Sequence, residues 1–180
     1  MIHNFEASLR RSNEDPRVRE AIKELRDQKY PGFICRKSTR AEDRLGVDFW
    51  IGTTGVDFKL RKGVFPGDIC VETCSTYHGS KEPPWKDELR GQVGWTLDPH
   101  KITDVVLYIW LDTWLAYDFP KLRTLALKAW KQNLWGRELA AYNERYTTLC
   151  IFPKVALVTE ALIAKKNESM LVFQPRLSEI

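Results

Sequence analysis

Gly46-Val47-Asp48-Phe49-Trp50-Ile51, a polar break at Gly52-Thr53-Thr54-Gly55, then Val56-Asp57-Phe58-Lys59-Leu60-Arg61: the reading of this stretch decides the fold. Apolar and polar residues alternate on both sides of a Gly-containing break, which predicts a β-hairpin. Side chains two apart on a strand share a face, so Asp57 and Lys59 point the same way. Asp48 sits on the neighbouring strand, where cross-strand pairing brings it within reach of them. Two carboxylates and a lysine gathered on a sheet are costly in an ordinary core. They suit a divalent cation, with the lysine beside a water or a phosphate. The plainer reading of Asp-x-Lys is a cross-strand ion pair on a solvated face. The spacing of Asp48, with apolar residues flanking both acids, favours the site.

The surrounding segments alternate between helix and strand patterns. Asp15-Pro16 is a helix start, with Asp as cap and Pro in the first turn. Val18, Ala21, Ile22 and Leu25 recur at helical spacing, and Pro31-Gly32 ends the helix near Tyr30. Asp68-Ile69-Cys70-Val71-Glu72-Thr73-Cys74-Ser75 alternates and predicts a third strand, with Asp68, Cys70, Glu72 and Cys74 on one face. Residues 76–100 read as an irregular loop whose Trp85 and Trp95 either contact a substrate or cover the core. Asp104 to Leu111 is a continuous apolar run, as for a buried central strand. Residues 119–143 carry a helical stripe of Leu122, Leu125, Ala126, Ala129 and Trp130, capped by Asp118 and interrupted near Gly136. Thr147–Phe152 predicts a short strand, Val155–Ala164 a helix opened by Pro153, and Met170–Phe173 a last strand or extended tail.

At Asp48, Asp57 and Lys59 the chain resembles the PD-(D/E)XK nuclease superfamily, which includes many restriction endonucleases and the archaeal Holliday-junction resolvases. The motif is an Asp, a short gap across a hairpin, then Asp or Glu, any residue, and Lys. Val47 stands where the motif would have Pro. The resemblance covers residues 15–75, and a weaker likeness continues to about residue 112.

The resemblance implies an α/β fold with a restriction-endonuclease-like core, a mixed central β-sheet of four to six strands flanked by helices. It also implies a single nuclease domain over residues 1–180 and a Mg²⁺- or Mn²⁺-dependent phosphodiesterase acting on nucleic acid, DNA before RNA. Asp48, Asp57 and Lys59 would be the catalytic residues. Asp48, Asp57 and the carbonyl of Phe58 would hold the metal. An extra acid is sought among Glu42, Asp43, Glu20 and Glu24, with Glu42 and Asp43 ranked first because they stand nearest the first motif strand. Glu72 either points toward the metal cluster, as a third carboxylate ligand or a support for the ligands, or simply faces solvent. Arg61, Lys62, Lys128 and Lys131 would grip the phosphate backbone, although an ordinary solvated face is the plainer reading of the basic residues on the 119–143 helix.

Two other readings stay open. The chain could keep the nuclease fold without the chemistry and act as a binding or inhibitory module for nucleic acid or protein. It could also be an unrelated α/β interaction protein whose acids pair with arginines such as Arg44 and Arg61. The resemblance allows a homodimer, and the sequence carries no clear interface signature.

Composition narrows the class further. The chain has 180 residues, 43% hydrophobic and 29% charged, as expected of one globular domain with a proper core. A net charge of +4 permits a nucleic-acid partner without demanding one. No apolar run is long enough to span a bilayer, and the N-terminal residues lack the basic start and apolar stretch of a signal peptide. A cytoplasmic protein without a membrane partner is the expectation. Cys70 and Cys74 form a C-x-x-x-C pair, while Cys35 and Cys150 stand apart, a spacing that predicts free thiols rather than a zinc site. No phosphate-binding glycine loop, Ser-His-Asp order or H-E-x-x-H motif is present.

Overall fold

The computed structural model describes residues 14–77, 92–134, 138–142 and 146–166. Helix α1 (Pro16–Lys29) starts where Asp15 Oδ1 accepts the amide of Arg17, and it buries Val18, Ala21, Ile22 and Leu25. Edge strand β1 (Cys35–Lys37) and the short helix α2 (Arg40–Arg44) lead into the hairpin. Its strands are β2 (Phe49–Ile51) and β3 (Thr54–Leu60). They pair antiparallel as Phe49↔Val56, Trp50↔Gly55 and Ile51↔Thr54. The turn is therefore only Gly52-Thr53, tighter than the four-residue break read from the sequence.

β3 pairs in parallel with β6 (Val105–Ile109), the continuous apolar run, and β6 pairs antiparallel with β7 (Trp114–Asp118). With β10 (Leu162–Lys165), the mixed sheet has six strands in the order β1-β2-β3-β6-β7-β10. Helices cover both faces. On one, α1 packs on Ile51, Val56, Phe58, Val105, Leu107 and Ile109. On the other, α3 (Phe119–Lys131) buries Phe119, Leu122 and Ala126 against Val106, Tyr108, Leu115 and Tyr117. The α/β class and the six-stranded mixed sheet agree with the expectation. No helix among the described residues is long and apolar enough to cross a membrane.

Several elements depart from the sequence reading. The third strand begins at Val71 (β4, Val71–Tyr77) and joins a second sheet of four strands rather than the first. Periodicity reports that a segment is a strand but not which edge it will pair with, and β4 finds β9 (Tyr146–Ile151) and the two-residue β5 (Gln92–Val93). The helix expected over 119–143 stops at Lys131, where Asn133 takes a left-handed conformation (φ 54°). Glu138–Tyr142 is a strand, β8, because its backbone completes the ladder with β9. Val155–Ala161 forms 3₁₀ turns rather than an α-helix, and the chain then enters β10. Met170–Phe173, Trp85, Arg137 and Arg145 lie outside the described residues.

The loop before β6 is fastened to the segment before β2. Thr103 Oγ1 donates to the carbonyl of Gly46, Lys101 Nζ to that of Arg44 (3.1 Å), and the Ile102 amide to that of Leu45 (3.1 Å). Gly46 has φ 88°, and a Cβ there would lie 2.8 Å from Lys101 Cδ and 2.9 Å from Thr103 Oγ1. Gly63 has a similar φ of 81° with nothing within 4 Å. Left-handed backbone alone costs an alanine about 1 kcal/mol, and the added clash should take Gly46→Ala to about 2–3 kcal/mol. Urea unfolding of Gly46→Ala beside Gly63→Ala checks this, and equal losses would mean that the close approach carries no energy.

Candidate active site

The hairpin register extends one step beyond β2 and sets Asp48 opposite Asp57. The Asp48 amide donates to the Val56 carbonyl (2.9 Å), and Asp48 Oδ2 accepts the amide of Phe58 (2.9 Å). The Asp48 carboxylate thus takes the place that a further residue of β2 would have held in the ladder. Asp57 lies in the middle of β3 and is only 5% exposed. Val56 and Phe58 belong to the α1 side of the sheet, so Asp57 and Lys59 face the α3 side.

Lys59 Nζ is 2.8 Å from Asp57 Oδ2, an ion pair, and 3.8 Å above the ring of Trp95. The ammonium offsets the charge on that buried oxygen, although no hydrogen bond of good geometry reaches it.

The electrostatics follow from burial and crowding. Burial, then the neighbouring Asp57 charge, raises the Asp48 carboxyl from its usual 3.8 to about 7. Burial raises Asp57 too, against the pull of Lys59. Asp43 is raised by burial and then by the neighbouring Asp48 charge. The three acids form a row, and Lys59 and Lys101 offset part of their repulsion at Asp43 and Asp57.

The other residues read from the sequence are spread more widely. Glu42 is taken up elsewhere: Arg36 forks onto both of its oxygens (2.8 and 3.0 Å), and Glu42 closes a capping box with Thr39. That pairing lowers its carboxyl to about 2. Its neighbour Asp43 is the one that reaches the pair. Glu24 accepts from Trp114 Nε1 (2.6 Å) and Glu20 faces Lys166, both on the helix across the sheet from Asp57. Glu72 belongs to the second sheet and accepts the Trp95 amide (3.2 Å). Phe58 enters through its backbone, its ring turned to the α1 side beside Phe49.

Arg61 shares the face of Asp57 and Lys59 and lies 5.8 Å over the Tyr108 ring, with Lys62 exposed just beyond β3. Lys128 and Lys131 are exposed in the last turn of α3, roughly 14–18 Å along the helix from Phe119 at its start. They do not gather with the acids. Sequence reasoning missed Trp95 over Lys59 and Lys101 beside the acid row. Both sit in segments flagged only as loop or strand lead-in, and no periodicity ties them to the hairpin.

Among the described residues, no three His, Cys, Asp or Glu form a ready metal cage. Mg²⁺ does not require one, since it is commonly held by one or two carboxylates together with water and substrate phosphate. Two adjacent carboxylates that repel each other are a donor set that suits such an ion, which would share Asp57 Oδ2 with Lys59. No family model matches the chain, and the comparisons with curated proteins and with solved structures find no match either.

The raised Asp48 carboxyl binds its proton more tightly in the folded chain than in the unfolded one. Folding stability should therefore fall as pH rises from about 4 to about 7. Asp48→Asn keeps an acceptor for the Phe58 amide and removes the charge. At pH 8 it should be about 1–3 kcal/mol more stable than the parent, with the gap closing toward pH 4. Denaturant titrations at several pH values measure this, and parallel pH profiles for the two chains would refute it.

Proposed function

We propose that this chain is a metal-dependent nuclease with a restriction-endonuclease-like core, hydrolysing phosphodiester bonds of nucleic acid, DNA in the first instance. The observation that carries the reading is the register of the hairpin. It sets Asp48 and Asp57 face to face, with Lys59 Nζ 2.8 Å from Asp57. Helix α1, the β2–β3 hairpin and the parallel strand β6 are compatible with such a core at the level of a mixed α/β sheet.

Asp48 and Asp57 would hold Mg²⁺ or Mn²⁺, with the Phe58 carbonyl as a further oxygen ligand. The ion would polarise a phosphoryl oxygen and make bound water more acidic. The Phe58 amide keeps Asp48 aimed at Asp57, so the two carboxylates are preorganised rather than gathered by the ligand. Lys59 brings a positive charge to the place where negative charge grows on the phosphate, and it orients the attacking water from the Asp57 side. Asp43 adjoins Asp48 and adds negative charge that strengthens the hold on a cation. Arg61 and Lys62, just beyond β3, would contact the sugar-phosphate backbone without reading its sequence. Lys128 and Lys131 would bind a more distant part of a long substrate.

The burial of Asp57 also favours the second reading, a nuclease-like module without chemistry, because a reactive site has to admit a phosphate. Activity separates the two. Incubation with supercoiled plasmid, linear duplex and single-stranded DNA in Mg²⁺ or Mn²⁺ should give cleavage that chelation abolishes. Asp57→Ala and Lys59→Ala should each lower it at least 10³-fold, while Lys59→Ala retains binding to the same DNA. Wild-type protein that cuts none of these substrates, nor RNA under the same conditions, would rule out the nuclease and leave the module.

A further inference from the structure

We infer that Trp95 is a positioning residue for Lys59, and that Glu72 acts on the site only by holding Trp95. This rests on the nuclease reading above and assigns a task to the second sheet that the hairpin motif does not contain.

A single ion pair does not fix a lysine. The side chain has four rotatable bonds and here is 32% exposed, and pairs of that kind hold position weakly. Lys59 has a second contact: its Nζ lies 3.8 Å above the indole of Trp95. Ammonium and indole face attract through the ring quadrupole. The charge is therefore held between Asp57 Oδ2 on one side and a flat aromatic wall on the other.

The wall is itself built in. Trp95 opens the 3₁₀ turn Trp95–Leu97, and its ring packs on Phe119 at 4.8 Å between centroids. The turn is tied to β4 by three hydrogen bonds. The Gly94 amide donates to Thr73 O (3.0 Å), the Trp95 amide to Glu72 Oε1 (3.2 Å), and the Glu72 amide to Thr96 Oγ1 (3.1 Å). Arg123 Nε on α3 donates to the Thr96 carbonyl (3.1 Å). Thr96 is fully buried. One oxygen of the Glu72 carboxylate is therefore engaged by the backbone of Trp95. The path runs from β4 through Glu72 to Trp95 and on to the Lys59 ammonium.

The test has two readouts on the full chain. The first is the NMR position of the Lys59 ε-methylene in protein labelled with ¹³C-lysine, assigned through Lys59→Arg. A methylene beside an indole face is shifted upfield by the ring current whether or not the protein cuts DNA. The second is steady-state cleavage of an oligonucleotide in Mg²⁺. Trp95→Leu should remove the upfield shift and lower kcat about 10²-fold, the loss expected when a reacting group is misplaced by about 1 Å, with KM unchanged. Trp95→Phe should restore part of both. Glu72→Ala, which leaves the Trp95–Phe119 contact in place, should reduce the shift and kcat together, while Glu72→Gln keeps an acceptor and both readouts. A Lys59 resonance without upfield shift in the parent chain would overturn the inference. So would a Trp95→Leu chain that loses the shift yet keeps kcat. Ring-current shifts that follow this pattern in a protein that cuts nothing would uphold the positioning and discard the nuclease.

Discussion

Strand β3 is hydrogen-bonded along both edges, to β2 and to β6, and is covered on both faces. Its backbone has nowhere to move, and alternation decides what each face receives. Val56 and Phe58 go to the α1 core, and Asp57 goes to the other side, with almost no contact with solvent. The rest of the site answers that placement. Asp48 is brought opposite by the same register, and Lys59 follows Asp57 by one pleat. The two carboxyls share a poorly hydrated space and are both raised in consequence.

The two sheets divide the work. The six-stranded sheet carries the acids and the lysine, and the smaller sheet carries what encloses them. Glu72 illustrates the division. On a strand beside β3 it would have pointed at the carboxylates, but on β4 it faces the turn that carries Trp95. Likewise Glu42 and Asp43 are neighbours in sequence with different tasks. One closes the first turn of α2 and pairs with Arg36, while the other reaches Asp48.

Much of the frame was legible in the residues. Asp15-Pro16 and the Val18-Ala21-Ile22-Leu25 stripe specify α1, and the alternation about Gly52-Thr53 specifies the hairpin. The run from Val105 to Ile109 specifies a strand enclosed on both faces, because such a strand has no need to alternate. What the residues left hidden depends on distant pairing. Glu138–Tyr142 is helix-like in composition and becomes a strand because β9 offers its edge. Trp114–Asp118 is apolar on both faces for the same reason as Val105–Ile109, and only its pairing with that strand separates it from the helix that follows. Asp48, Asp57 and Lys59 could be read as a group because one local turn joins them. Trp95 could not, since its tie to Lys59 runs through β4 and α3.

The tight Gly52-Thr53 turn has a consequence for how the molecule assembles. A hairpin closed by two residues forms early and locally, within microseconds. The β3–β6 and β4–β9 ladders join segments far apart in the chain and must wait for large loops to close. If the hairpin forms ahead of those ladders, Asp48 and Asp57 meet first in water, where their repulsion is screened and weak. They are driven into a poorly hydrated space only when α3 and the second sheet dock. The electrostatic penalty of the pair belongs to that docking step, and whatever neutralises the acids, proton or cation, acts on the last stage of folding rather than on the hairpin that created them.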